Sequence, residues 1–180
     1  MNALPTPELS RRIKLAGLPG ETLVIEASPT EREALAARFG LPSIESLRAD
    51  VELEHRGSAV RATGRLAAKI LQTCAISGED FPVSVDEELD LRFVEHGTLE
   101  AAQDENSDIE IELDAEDCDE IEYSGDAFDL GEAIAQTLGL AIDPYAEGPG
   151  ADAARKKAGI VAEGEQDGPL AEALKGLKGS

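Results

Sequence analysis

Arg61, Arg65 and Lys69 recur at a spacing of four within a run that alternates apolar and polar residues. In an extended strand successive side chains point to opposite faces and each residue advances about 3.3–3.4 Å, so this spacing sets three cations on one face about 13–14 Å apart. Such a row can follow the phosphates of a nucleic-acid backbone. His55 and Arg56 lie just before it, and no Asp or Glu occurs from His55 to Gly78, in a chain that carries 38 acids against 16 Lys and Arg. The formal net charge of −22 opposes unselective adhesion to nucleic acid or to an anionic membrane. A local acid-free stretch can still attract RNA within a Debye length of about 8–10 Å. The candidate RNA contacts are therefore Arg61, Arg65, Lys69 and Arg56, joined by Arg11, Arg12 and Lys14 if the first strand adds to the same sheet. No aromatic residue interleaves with them, so base stacking is not expected. The competing explanation is a solvated strand face that happens to carry arginine and lysine, or one covered by an acidic loop.

Other reactive side chains are sparse. Cys74, Cys118, His55 and His96 are all the thiols and imidazoles of the chain. They are scattered, without the paired spacing of a structural zinc site, which needs four N or S ligands. A nucleophilic cysteine needs a base within hydrogen-bond reach, yet His55 falls near the opposite end of the paired strands from Cys74, and His96 stands at the margin of an acidic stretch. Carboxylates in such a stretch stay solvated rather than making an acid/base pair or a magnesium site. Gly57, Gly64 and Gly78 are isolated and form no phosphate-binding loop. No catalytic residue, metal or cofactor is expected, and Cys74 reads as a small buried residue at a strand end.

The elements that must position the row are legible around it. Val51 and Leu53 alternate into Gly57-Ser58, a two-residue hairpin turn with glycine first, and the chain resumes at Ala59. Val60, Ala62, Gly64, Leu66, Ala68, Ile70 and Gln72 then take the face opposite the cations. Beyond Cys74 and the connection 75–80, Val83, Val85, Leu89, Leu91 and Phe93 return, which completes an antiparallel meander, open or barrel-like. Upstream, residues 11–15 and 22–27 read as strands. Ser28-Pro29-Thr30-Glu31 opens a helix over Pro29–Phe39 with a capping box, stopped by Gly40. Downstream, Asp129 and Glu132 form a second capping box for a helix that must end before Pro144.

The fold expected is α+β: a single domain over 9–145 with two main helices, after a flexible 1–8. Residues 95–119 are an acidic, partly disordered insertion, with short edge strands at 109–113 and 120–123, and 146–180 are a mobile tail ending in a weak helix. With 42% hydrophobic residues but only 3% aromatic, the core must come from Leu, Ile, Val and Ala. No apolar run approaches the roughly 20 residues of a bilayer span and no secretory leader is evident, so a cytoplasmic protein with reduced thiols is expected.

Several of these landmarks, in this order, resemble the YceD family of bacterial proteins: the strand ending in Thr73-Cys74, the glycine-containing connection to Phe81, Ile121-Glu122-Tyr123, Asp129-Leu130-Gly131-Glu132 opening a helix, the Asp143-Pro144-Tyr145 exit, and the terminal Gly168–Lys178 segment. The likeness runs from about Ser10 onward. It implies a role in accumulation of the large-subunit ribosomal RNA, binding to that RNA or its precursor, and no enzymatic reaction. Relatives often carry Cys-x-x-Cys at the position of Cys74 and a further Cys or His after the second helix, which together suggest a metal clamp. Here Ser77 replaces the second thiol, and 143–147 offers neither Cys nor His. Two binding modes follow as expectations. Either the basic strand face meets ribosomal RNA or a pre-ribosomal particle, or the protein is an acidic adaptor whose 95–120 region holds a basic ribosomal protein. In a variant of the first mode, the acidic loop covers the basic face and inhibits it.

Overall fold

Period-two alternation, interrupted at Gly57-Ser58, folds the middle of the chain into a long hairpin. Gly57 has φ +64°, and among the described residues no residue other than glycine has positive φ, which is the signature of a turn that needs glycine in its first central position. In the computed structural model, which describes residues 7–96 and 119–160, the strands are β1 (Arg12–Lys14), β2 (Leu23–Glu26), β3 (Ser43–Arg56), β4 (Ala59–Thr73), β5 (Asp80–Glu95), β6 (Asp119–Tyr123) and β7 (Ala127–Asp129). The helices are α1 (Pro29–Phe39), α2 (Leu130–Ala141) and α3 (Ala151–Lys157), with a 3₁₀ turn at Leu15–Gly17. The chain divides into two compact units, Met1–Gln72 with Pro82–Asp143, and Thr73–Phe81 with Pro144–Ser180.

The fold is α+β, as expected, and its sheet is open. Five strands lie in the order β2-β3-β4-β5-β6, while β1 and β7 pair separately as a two-stranded ribbon. β3 and β4 are antiparallel with Arg56 opposite Ala59 and Ser46 opposite Lys69, and a register shift between Ile44 and Ser46 marks a bulge. β6 departs from the meander: it runs parallel to β5, with Phe93 opposite Ile121. The expected strand at 109–113, most of the acidic insertion and the terminal helix lie outside the described residues.

One face of the sheet is apolar because its alternate residues are. Val51, Val60, Ala62, Leu66, Ile70, Leu89 and Phe93 are buried there together with Leu35 of α1 and Leu130, Ile134 and Leu138 of α2. Phe93 stacks on Phe128 with ring centroids 4.1 Å apart, so two of the few aromatics meet at the centre of the core. Gln72, the buried polar side chain among the core residues, donates to the Asp143 carbonyl at 2.9 Å.

Helix α1 begins as its sequence dictates, with Ser28 and Glu31 forming the capping box, Pro29 in the first turn and Gly40 left-handed at φ 65°. Helix α2 starts differently from expectation. Asp129 Oδ1 accepts from the backbone of Gly131 and Glu132 at 3.0 and 3.2 Å, but Glu132 does not reach back to complete a box. Its carboxylate is taken by Arg38 of α1 at 2.8 and 3.0 Å, which ties the two helices together.

In the second unit, Cys74 N–H donates to Glu79 O at 2.9 Å, Gly78 N–H to Cys74 O at 3.0 Å, and Ala75 N–H to Ala146 O at 3.0 Å. Residues 144–150 therefore pack on the 73–81 loop, and α3 follows. No helix among the described residues is long and apolar enough to cross a membrane.

Candidate nucleic-acid interface

The predicted row does lie on one outward face of β4, and the neighbouring strands decide its charge. Across β3, Glu54 stands opposite Arg61, Asp50 opposite Arg65, Arg48 opposite Ala67 and Ser46 opposite Lys69. On the β5 side, Asp90 takes Arg61 in a fork, Nε to Oδ1 at 2.7 Å and a terminal nitrogen to Oδ2 at 2.6 Å. Four residues on, Asp86 takes Arg65 in the same way. Hydrogen bonding from Arg65 holds the Asp86 carboxyl below its ordinary range, so the pair stays charged near neutrality. Arg48 is likewise forked onto Asp50 at 2.7 and 3.0 Å and reaches Glu26 at 3.0 Å. Glu52 lies opposite Thr63 and Glu88 lies close enough to act on the charge of Arg65, and acids outnumber cations over this part of the face. Of the three, Lys69 has no ion pair among the described residues.

The remaining predicted cations are distributed elsewhere. Arg56 is exposed at the hairpin end and pairs with Glu54 at 2.9 Å. β1 belongs to the ribbon with β7, so Arg11, Arg12 and Lys14 do not extend the row on the five-stranded sheet. Arg12 and Lys14 are exposed there.

Arg11 is a structural clamp. Its guanidinium holds Glu31 at 2.7 and 3.1 Å and donates to the carbonyls of Ser10 and Glu26, while its own N–H caps Asp129 at 2.8 Å. Arg11 and the Ser28 donors lower the Glu31 pKa to about 2. A carboxylate whose folded pKa is depressed contributes stability that is complete above its unfolded value, near 4.5, and is lost as pH falls through the folded one. Glu31→Gln should therefore cost about 1–2 kcal/mol near neutral pH, reduced from the full shift because both partners are partly exposed. In urea unfolding, the gap to the parent should stay flat above about pH 5 and close between pH 4.5 and 2.

Two arginines that the sequence did not single out, Arg32 and Arg48, complete a hollow at the Lys69 end of the face. It measures about 510 Å³ and is lined by Arg32 of α1, Glu26, Ser46 and Arg48, Ala67 and Lys69, and Ser84 and Asp86, with the backbone neighbours of these residues. The opposite end holds an acidic hollow of about 540 Å³, lined by Glu21, Thr22, Glu52, Glu54 and Thr63. The face is thus acid-rich toward the hairpin and cationic toward α1. Arg48 could have been found from its outward position two residues after Ser46, but nothing in the sequence around Arg32 announces its proximity to Lys69.

In the second unit, Cys74 is buried and its thiol accepts from the Ser77 N–H at 3.3 Å. The Ser77 hydroxyl and backbone, with the backbone of Gly148 and Ile76, pull its pKa down to about 7 against the opposing effect of burial. The loop has the shape to cradle a thiolate, but Ser77 stands where a second thiol would be, and no group of three or more His, Cys, Asp or Glu among the described residues is arranged to hold a metal ion. These residues do not fit the metal clamp suggested by relatives.

Compared with known protein families, residues 62–178 match the model of a family described as large ribosomal RNA subunit accumulation protein YceD. The match spans well over half of the 180 residues and runs from within β4 through β5, β6, β7, α2 and α3. That description ties its members to the accumulation of large-subunit ribosomal RNA. No curated protein and no solved structure matches the chain.

Proposed function

Because this chain belongs to the YceD family of large ribosomal RNA subunit accumulation proteins, we propose that it supports accumulation of that RNA by holding it, or a pre-ribosomal particle that carries it, against the outward face of its five-stranded sheet. The observation that carries this reading is the charge gradient along β4: Arg61 and Arg65 are matched by Asp90 and Asp86, whereas Lys69 stands unmatched beside Arg32 and Arg48. Phosphates are therefore drawn to the Lys69 end and repelled from the acidic end and from most of the surface, which gives the contact an orientation. Binding of this kind is sequence-independent, modest in strength and steeply salt-dependent. The role is non-enzymatic: it protects or positions RNA, and no side chain has to do chemistry.

Crosslinking in cells with joint recovery of RNA and protein tests the reading. Large-subunit RNA should be recovered, with crosslinked peptides from β4 and β5. Recovery of basic ribosomal proteins without RNA would overturn it in favour of an acidic adaptor. That second reading has its own support in the hollow at Glu52 and Glu54 and in the segment 97–118, which holds nine acids and no Lys or Arg. Deleting residues 100–108 separates the two. RNA binding survives the deletion under the first reading, or strengthens if the loop is inhibitory, whereas capture of a basic ribosomal protein is lost under the second.

A further inference from the structure

We propose that the hollow formed by Arg32, Ser46, Arg48, Lys69 and Ser84 is a seat for one backbone phosphate of the bound RNA strand. The assignment rests on the reading that RNA lies on this face, and it names the point of contact.

The first support is where uncompensated positive charge remains. In a chain of net charge −22, nearly every arginine on the sheet finds a carboxylate, yet among the described residues neither Arg32 nor Lys69 has an ion pair, and both line the same hollow. Arg12 and Lys14 also lack one, but they stand exposed on the β1–β7 ribbon. The two acids that line the hollow are already engaged, Glu26 by Arg48 at 3.0 Å and Asp86 by Arg65.

The second support is unspent hydrogen-bonding capacity. Arg32 donates to the Ala27 carbonyl at 2.7 Å, and its Nε is buried without a partner. The Ser46 and Ser84 hydroxyls have no protein partner among the described residues. Ala67, opposite Arg48, presents only a methyl group to the hollow, and the β3–β4 register shifts beside Ser46. A guanidinium fork, a lysine ammonium and two hydroxyls are the donor types that hold phosphate oxygens.

The balance of charge selects the form of phosphate. With their ion-pair partners Arg65 and Asp50 counted, the four cations Arg32, Arg48, Arg65 and Lys69 meet the three carboxylates Glu26, Asp50 and Asp86, an excess of one that suits a singly charged phosphodiester. A diester neutralises that excess, whereas the doubly charged form of orthophosphate, about half of it at neutral pH, would leave a net negative charge beside Glu26 and Asp86. The seat is therefore assigned to an RNA backbone rather than to inorganic phosphate.

The test is amide NMR and fluorescence titration of the full chain with a short oligouridylate and, separately, with orthophosphate. Lys69→Gln, Arg32→Gln, their double variant and Lys156→Gln are compared with the parent. The oligonucleotide should shift the Ser46, Ala67 and Ser84 amides. The double variant should weaken binding about tenfold and lower the log–log salt slope by about 0.7, the loss of one phosphate contact to a single strand, while Lys156→Gln, which removes one charge as each single variant does, should change neither. Lys69 is exposed on a strand, so Lys69→Gln alone keeps the fold if the Arg32 variant does not. Oligonucleotide binding unaffected by these substitutions, with shifts elsewhere on the sheet, would overturn the seat and leave the RNA-face reading standing. Absence of oligonucleotide binding to the parent would overturn both. Orthophosphate binding at the same amides as tightly as the oligonucleotide would overturn the phosphodiester assignment.

Discussion

Asp86→Asn combined with Asp90→Asn should tighten binding of this protein to a large-subunit RNA fragment about tenfold at about 0.1 M salt, and should steepen the logarithmic salt dependence by about 1.4–1.8. The reason is geometric. Arg61 and Arg65 already face outward at the spacing of a phosphate row, but each is forked onto a carboxylate of β5, so an approaching phosphate meets a neutral pair. Exchanging a carboxylate for a phosphate leaves the displaced aspartate at the contact, and the net attraction is small. Asparagine keeps the shape and one of the two accepting oxygens while removing that charge, and each phosphate then held by Arg61 or Arg65 adds its released counterions to the binding equilibrium. The cost to folding should be small, because the Arg65 and Asp86 side chains are 71% and 54% exposed and those of Arg61 and Asp90 are 36% and 40% exposed. A filter-binding series from 50 to 300 mM salt reads both quantities. An unchanged slope would show that the β4 row does not reach RNA and would confine the contact to the Lys69 end.

Gly64→Ala should destabilise the protein by about 2–4 kcal/mol and shift its thermal midpoint accordingly. Gly64 lies in β4 between the two arginines, opposite Val51 of β3. A Cβ at this position would fall inside van der Waals contact of the Asp50 carbonyl and within 3.0 Å of the Val51 Cα, and both are backbone atoms that cannot swing aside. The β3–β4 ladder would have to part locally, which also pulls Arg65 from its place opposite Asp50. Alanine is a better strand residue than glycine by propensity, so a destabilisation isolates the close backbone approach as the cause. Urea unfolding with an unchanged slope and a lowered midpoint is the expected result, and stability at or above the parent would show that the strands tolerate the extra atom.

The functional consequence of the two substitutions is opposite in sense. Removing β5 carboxylates alters charge and leaves the scaffold intact, whereas adding a methyl at Gly64 disturbs the scaffold and removes no charge. If RNA affinity responds to the first far more than to the second at temperatures where both variants are folded, electrostatics on this face govern binding.

Local rules account for the elements themselves. Ser28-Pro29-Thr30-Glu31 and Gly40 delimit α1 because a cap, a preset φ and a left-handed stop act within a turn of the chain. Gly57-Ser58 sets the hairpin and hence the β3–β4 register, and alternation from Val51 to Phe93 settles which residues enter the core. The α+β class and the outward placement of Arg61, Arg65 and Lys69 follow from the same alternation. Tertiary structure alone decided the rest. The acid-free span from His55 to Gly78 is acid-free only along the chain, since Asp86 and Asp90 reach it from the neighbouring strand, four residues apart in the reverse direction. β1 joins β7 instead of the main sheet, which makes Arg11 a clamp on Glu31 and Asp129. Arg32, on a helix far from Lys69 in sequence, comes to share a hollow with it because α1 packs against β3. Secondary structure is dictated within a few residues, where capping and pleat act, but the net charge of a surface is summed over neighbours in space, and which neighbours those are is fixed only when the strands are paired.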